Sequence, residues 1–338
     1  MKTSRQRVAR QVPLLQIARM TRGPGMHRRW SWTGALLALL AAALWGLAPV
    51  GTKVVLRGFS PELLAFVRLA AAAVLFRLMA GERAQWFVAD IWVWLAGIGL
   101  GMDFVLYNYG LQRTEANIAG LVINIEMIST IAFAVCLLGE RLSLRRLLGS
   151  AVTMAGVLVV TLDGLQVSDL TGDGRTIGNL LVMAAGISWS LFAVAQRRAG
   201  YGGNLFQRLT PIFSVAALTT APILLRETAW SFTGGIKPVS MLIVLTVFGT
   251  NVVYWIYARA QDFIDISLLA ILLCTMPIFT VLFAFAFLDE LVTMRLLIGG
   301  AIIISGIAVI AMERSIVPEG TGAQANVALN DSQSPGEP

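Results

Sequence analysis

Residues 127–160 and 277–310 align without a gap at an offset of 150, with twelve identities in 34 positions. The shared residues include Phe133/Phe283, Glu140/Glu290, Arg145/Arg295, Gly149/Gly299 and Gly156/Gly306, so the match extends to charges and glycines as well as apolar residues. Any fold of this chain must therefore hold two copies of one unit. The unit is strongly apolar: hydrophobic residues make up 57% of the 338, charged residues 13%, and the mean hydropathy is +0.75. These values exclude an ordinary soluble domain and predict an all-α polytopic membrane protein.

Apolar runs long enough to cross about 30 Å of hydrocarbon fall near 33–56, 61–80, 88–111, 114–138, 144–162, 177–198, 206–226, 239–259, 264–288 and 295–312. Ten transmembrane helices give five per copy. Five is odd, so the second copy enters the membrane upside down, and the expected architecture is two inverted five-helix repeats. Weaker matches extend the repeat: Gly34, Trp45 and Lys53 match Gly178, Trp189 and Arg197 at an offset of 144, and Gly101, Val105 and Tyr109 match Gly249, Val253 and Tyr257 at 148. The chain divides into a basic tail 1–31, a first repeat 33–162, a linker 163–176, a second repeat 177–312 and a tail 313–338 whose polar, Gly- and Pro-rich composition predicts disorder.

The net charge of +7 does not call for nucleic acid, because the basic residues follow membrane topology. Eight of the 26 Lys and Arg precede Trp30, and the loops on that side add Arg77, Arg83, Arg141, Arg145, Arg146, Arg197, Arg198, Arg208, Arg259 and Arg314. Opposite loops carry Arg57, Arg113, Arg175, Arg226, Lys237 and Arg295. The positive-inside rule then puts both termini in the cytoplasm. Residues 1–30 have no apolar core of the kind a cleaved signal peptide needs, so the first span is expected to serve as the insertion signal. The stretch Arg5–Met20 reads as a basic amphipathic helix at the inner leaflet, and translation starting at Met26 is an equal alternative for this tail.

The inventory for catalysis is thin. His27, the single histidine, is in the tail, which removes a Ser-His-Asp triad or a histidine metal site from the membrane. There is no Walker A sequence to drive the chain with ATP, and neither a cofactor nor a metal is expected. Gly97-x-x-x-Gly101 falls inside a span and reads as a site of close helix packing. Cys136 and Cys274 are not equivalent repeat positions and predict no disulfide framework.

Charges inside the spans are more informative, since one costs about 2.5–3.5 kcal/mol at a helix centre on insertion scales. Lys53 can snorkel outward. Arg68 and Asp103 lie at similar depths, so an ion pair between them is feasible. Glu126 is placed at the centre of the fourth span beside Asn124, Ser129 and Thr130, where it can carry a proton, bind a cationic group, or be held permanently by hydrogen bonds or Arg68. Glu140 and Glu290 each end a span just before an Arg-containing turn and read as structural caps or loop ion pairs. Trp45, Phe104, Tyr107, Asn108, Tyr109, Trp189, Asn251, Tyr254, Trp255 and Tyr257 recur near the same depths. They read as a pocket lining for an organic molecule or as interfacial belts.

These motifs together resemble the drug/metabolite transporter superfamily, specifically its members with two EamA domains, over residues 33–312. The residues that carry the resemblance are Trp45-Gly46 with Pro49 and Lys53, Arg68, Leu138-Gly139-Glu140-Arg141-Leu142, Gly149 and Gly156, then Thr275-Met276-Pro277, Glu290, Gly299 and Gly306. The family pattern has a proline where this chain has Met127, whereas Pro277 is kept, so the two halves need not flex alike. The resemblance implies alternating access by a secondary transporter, favours export and leaves the substrate open; two acids with few cations among the candidate cavity residues favour a cationic or zwitterionic solute, an amino acid or related metabolite. Glu126, Asp103, Asn124, Arg68, Trp45, Tyr107, Trp189, Asn251 and Trp255 are the expected solute or coupling residues. Pro49, Pro277, Gly149, Gly299, Glu140 and Glu290 are the expected structural or hinge residues. Its partners are then a small solute and the bilayer, proton coupling is open, and a monomer suffices because one chain holds both halves. Uptake of a metabolite, a membrane-embedded enzyme and a membrane partner that moves nothing are the competing readings.

Overall fold

The computed structural model describes residues 31–82, 84–114, 119, 122–161, 175–199, 203–225, 232–233, 235–280, 282 and 294–312. The tail 1–30, most of the linker, Glu290 and the tail 313–338 lie outside these residues. Apart from one isolated bridge between Phe59 and Phe232, the described secondary structure is helical.

In chain order the helices are α1 (Trp32–Val55), α2 (Pro61–Ala80), α3 (Ile91–Arg113), α4 (Ile125–Leu138), α5 (Leu144–Thr161), α6 (Arg175–Arg198), α7 (Leu205–Leu225), α8 (Ile236–Ala260), α9 (Ile266–Thr280) and α10 (Met294–Ala311). The six helices α1, α2, α3, α6, α7 and α8 are long and apolar enough to cross a bilayer; α4, α9 and the apolar part of α10 are shorter. Leu36, Leu40, Leu78, Ile98, Leu147 and Ile304 are exposed on the outer faces of the helices, where an apolar surface suits lipid.

The local sequence explains several helix ends. Ser60 accepts from the Leu63 amide at 3.2 Å and Pro61 opens α2, as Ser60-Pro61-Glu62 predicts. Gly139 ends α4 in the left-handed region at φ 68°, a conformation glycine adopts without steric cost. Breaks inside helices are equally legible in physical terms. α1 is interrupted at Leu47, two residues before Pro49, and a proline lacks the backbone N–H that a continuous helix would use there. α9 breaks at Cys274-Thr275, before Pro277, where the amides of both residues reach back only three residues. The helical path into α4 breaks in the same way at Ile123-Asn124, although Met127 stands where α9 has its proline. Glu126 therefore occupies the first turn of a helix that starts inside the bundle, not the middle of a continuous span.

Packing repeats as the sequence does. α3 lies along α6 and α1 along α8; α7 contacts α3 and α2 contacts α8; α4 contacts α6 and α9 contacts α1. The pairs α2–α7, α4–α9 and α5–α10 also form. Adding five to every label maps this set onto itself. Gly97 and Gly101 sit where α3 meets α7: a Cβ on either would stand 2.8 Å from a carbonyl oxygen of α7, from Ile212 and Ala216 respectively.

Candidate functional site

At one end of the bundle, next to the start of α1, the arginines of the α4–α5 turn and of the ends of α6 and α8 collect; this is the basic end. Asp265 precedes α9 and would ordinarily cap it, but its carboxylate instead receives Arg146 Nη1 at 2.9 Å in a buried ion pair. Glu140 takes over the cap. Its two oxygens accept from the amides of Ile266 at 3.0 Å and Ser267 at 3.1 Å, and from the Ser267 hydroxyl at 2.6 Å. An anion against the N-terminus of a helix is favourable electrostatically. The contact joins the first sequence repeat to the second.

A cavity of about 120 Å³ lies deeper in the bundle, lined by residues of α1, α2, α3, α4, α6, α8 and α9 and of the break before α4. Its charged residues are Arg68, Asp103 and Glu126, and Trp45, Phe104, Tyr107, Trp189 and Tyr254 supply its aromatic wall. Three pairs of repeat-equivalent positions meet there: Trp45 with Trp189, Ile123 with Leu273, and Glu126 with Met276.

Each charge is held differently. Arg68 donates from Nε to Thr250 Oγ1 at 3.0 Å and from Nη2 to the Gly249 carbonyl at 3.1 Å, and its guanidinium lies 4.7 Å from the centroid of Phe104. Both acceptors belong to a π-helical turn of α8, Val247–Val252. The feasible Arg68–Asp103 ion pair does not form within 4.0 Å. Matching depth did not ensure matching direction: the side chain of Arg68 goes to α8.

Among the described residues neither the Asp103 nor the Glu126 carboxyl has a hydrogen-bond or ion-pair partner. The backbone carbonyl of Glu126 is instead tied to α6 by Ser190 Oγ at 3.1 Å, and the hydroxyls of Ser129 and Thr130 meet Ser190 at 2.6 and 2.9 Å. This cluster fixes the first turn of α4 and leaves the carboxyl facing the cavity.

The aromatic wall is a connected group. Trp45 packs edge-on against Trp189 at 5.1 Å and Tyr254 at 5.4 Å, and Trp189 meets Tyr254 at 5.6 Å. Ring faces beside unpaired carboxyls form a recognised environment for an organic cation.

Six of the nine expected solute residues line this cavity: Glu126, Asp103, Arg68, Trp45, Tyr107 and Trp189. Three do not. Asn124 is buried in the break before α4. Asn251 turns away, its Nδ2 donating to the Ala72 carbonyl at 3.3 Å and so tying α8 to α2. Trp255 stacks on Phe206 of α7 at 6.2 Å. Ala48, Thr52, Ile123 and Leu273 line the cavity without having been singled out as solute residues, and Met276 was noticed only as part of a motif. Thr52 was recoverable, since positions 45, 48 and 52 share a helical face.

The sequence profile of the EamA-like transporter family matches residues 32–162 and 176–312. An uncharacterized transporter of Archaeoglobus fulgidus is 23% identical over 288 residues, 82% of this chain and 99% of the relative. A probable amino-acid metabolite efflux pump of Escherichia coli is 30% identical over 206 residues, 58% of each chain. A probable terminal-alkyne amino-acid exporter of Streptantibioticus cattleyicolor is 26% identical over 292 residues, 80% of this chain and 91% of the relative. A solved crystal structure with 21% identity superposes with a TM-score of 0.68, covering 83% of this chain and 98% of the other, a likeness of fold.

Proposed function

Because the chain belongs to the EamA-like transporter family, we propose that it is a secondary transporter that exports a small zwitterionic or cationic organic solute, an amino acid or related metabolite, by alternating access. The basic end faces the cytoplasm of a cell with both termini on that side, and the protein resides in the inner membrane; the arginine distribution supports this orientation. Helices α1–α5 and α6–α10 are two inverted halves, a reading supported by the way helix pairs map onto each other when the labels advance by five.

The observation that carries the proposal is the cavity that places Arg68, Asp103 and Glu126 within one aromatic wall built from both repeats. A zwitterion fits its charges. Arg68 uses Nε and one Nη for α8, which leaves other N–H groups for a carboxylate. The two carboxyls take the ammonium group, and Trp45, Trp189 and Tyr254 pack against the organic body or the cation. Glu126 receives either the ammonium group or a proton, not both, so solute leaving outward is exchanged for a proton entering. The Glu140 cap and the Arg146–Asp265 pair hold the cytoplasmic end of α9 closed, and breaks in α1, α4 and α9 let half-helices pivot around the cavity. The relatives named for amino-acid metabolite efflux and amino-acid export support the choice of solute class and direction.

The test is flux of labelled amino acids, among them phenylalanine and lysine, and of the corresponding amines into proteoliposomes holding the purified full chain. Saturable movement of at least one ammonium-bearing compound supports the reading. Permeability equal to protein-free liposomes for every compound contradicts it and favours a non-transporting membrane protein.

A further inference from the structure

A second cavity, of about 210 Å³, lies at the basic end between the ends of α6 and α8 and the start of α7. Its wall carries Gln196, Arg197, Arg208, Gln261 and Asp262 over an apolar floor that includes Leu209 and Ile212. Asp262 positions Arg208 through contacts of 3.3 and 3.5 Å and is itself held by Arg259 at 3.0 Å. The Gln196 side-chain carbonyl is buried with no hydrogen-bond partner among the described residues. Two guanidiniums and a buried acceptor in one hollow match the two ends of a zwitterion: a carboxylate for the arginines and an N–H donor for Gln196.

Its position relative to the central cavity is the second argument. Along α6, Trp189 lines the central cavity, Phe192 follows one turn later, and Gln196 follows one turn after that in the second cavity. Along α8 and its C-cap the same order is Tyr254, Tyr257 and Gln261. The middle members close the path between the two: Phe192 and Tyr257 are 0% and 2% exposed, and their rings stack at 6.1 Å with an interplanar angle of 27°. Trp189 adds to the plug, 5.3 Å from Tyr257. From residue 189 to 196 the helical rise is about 10 Å, one small solute length.

We infer that this hollow is a cytoplasmic docking site for the carboxylate of the solute, separated from the central cavity by the Phe192–Tyr257 ring pair. The inference rests on the transporter reading above. Solute from the cytoplasm binds Arg197 and Arg208 first, and enters the central cavity when the two rings part. From the opposite side it reaches the central cavity without meeting these arginines.

The experiment compares phenylalanine with phenethylamine, which lacks only the carboxylate, in inside-out and right-side-out membrane vesicles from cells producing the full chain. With Arg208→Gln, the KM for phenylalanine entering from the cytoplasmic face is expected to rise about tenfold, with little change from the other face or for phenethylamine. Arg197→Gln, which leaves the Arg208–Asp262 pair intact, is expected to act the same way. Equal losses from both faces, or equal losses for acid and amine, overturn the inference and make the arginines structural. With the purified full chain in proteoliposomes made with and without anionic lipid, an effect confined to those that contain anionic lipid also overturns it, by assigning the hollow to a lipid headgroup. Absence of flux in the native chain removes the transporter reading itself, whereas flux without sidedness in the variants removes only the docking site.

Discussion

Gly156 and Gly299 meet backbone to backbone: a Cβ on Gly156 would stand 2.8 Å from the Gly299 carbonyl oxygen, and one on Gly299 would stand 2.9 Å from the Gly156 carbonyl oxygen. Their repeat equivalents cross in the same way, since Cβ atoms on Gly149 and Gly306 would approach the partner's carbonyl oxygen to 2.8 and 2.7 Å. Residue i touching j+150 while j touches i+150 is the signature of a two-fold contact, here formed within one chain. Gly156→Leu is therefore expected to destabilise the α5–α10 pair by about 1–3 kcal/mol or more. Gly300→Ala is the control, because its nearest atoms lie 3.9 and 4.0 Å away on Ile278. Thermal unfolding in detergent reads both: a lower midpoint for Gly156→Leu only is expected, and equal midpoints contradict the contact.

Glu140 caps the start of α9 with three hydrogen bonds. Removing a charged acceptor from these donors costs about 1.5–3 kcal/mol. Glu140→Ala is expected to speed exchange of the Ile266 and Ser267 amides by about tenfold or more. Hydrogen exchange read by mass spectrometry on the peptide covering 262–273 checks this; unchanged exchange removes the cap from the account.

Arg68 is a fork, with Nε and Nη2 on different acceptors of the π-helical turn. Lysine presents a single ammonium and cannot reproduce that geometry. A double-mutant cycle between Arg68→Lys and Thr250→Val is expected to give a coupling of about 1–2 kcal/mol in unfolding free energy. A coupling near zero would place the guanidinium elsewhere.

Trp45 and Trp255 offer a matched pair of aromatic deletions, because one lines the central cavity and the other stacks on Phe206 outside its lining. Trp45→Ala is expected to raise the KM for an ammonium solute by roughly 5- to 30-fold, the equivalent of a desolvated cation–π contact of about 1–2 kcal/mol. Trp255→Ala leaves KM unchanged. The reverse order in a flux assay would move the solute site to the α7–α8 side.

The helices were legible because apolar runs of this length have few alternatives in a chain so poor in charge. The breaks in α1 and α9 were marked by Pro49 and Pro277. The break before α4 has no proline to mark it, and only the repeat alignment, which maps Ile123-Asn124 onto Leu273-Cys274, carries its signal. That Arg68, Asp103 and Glu126 fall at one level of the bundle was readable, since all three line one cavity, but azimuth was not. That gap explains both the missing Arg68–Asp103 ion pair and the misplacement of Asn251 and Trp255. In α8 a π-helical turn adds a residue to the turn at 247–252, so a 3.6-residue periodicity carried through it points the side chains wrongly.

Glu126 tests the account most directly, as a cavity carboxyl without a described partner, set in the first turn of α4. The measurement is flux of labelled phenylalanine and lysine in proteoliposomes with and without a pH gradient, for the native chain and Glu126→Gln. The account predicts that flux of at least one of them by the native chain accelerates when the gradient drives protons against the solute, and that Glu126→Gln loses this acceleration. Equal acceleration in both proteins, or native flux indifferent to the gradient, would contradict the exchange of ammonium for proton at this carboxyl.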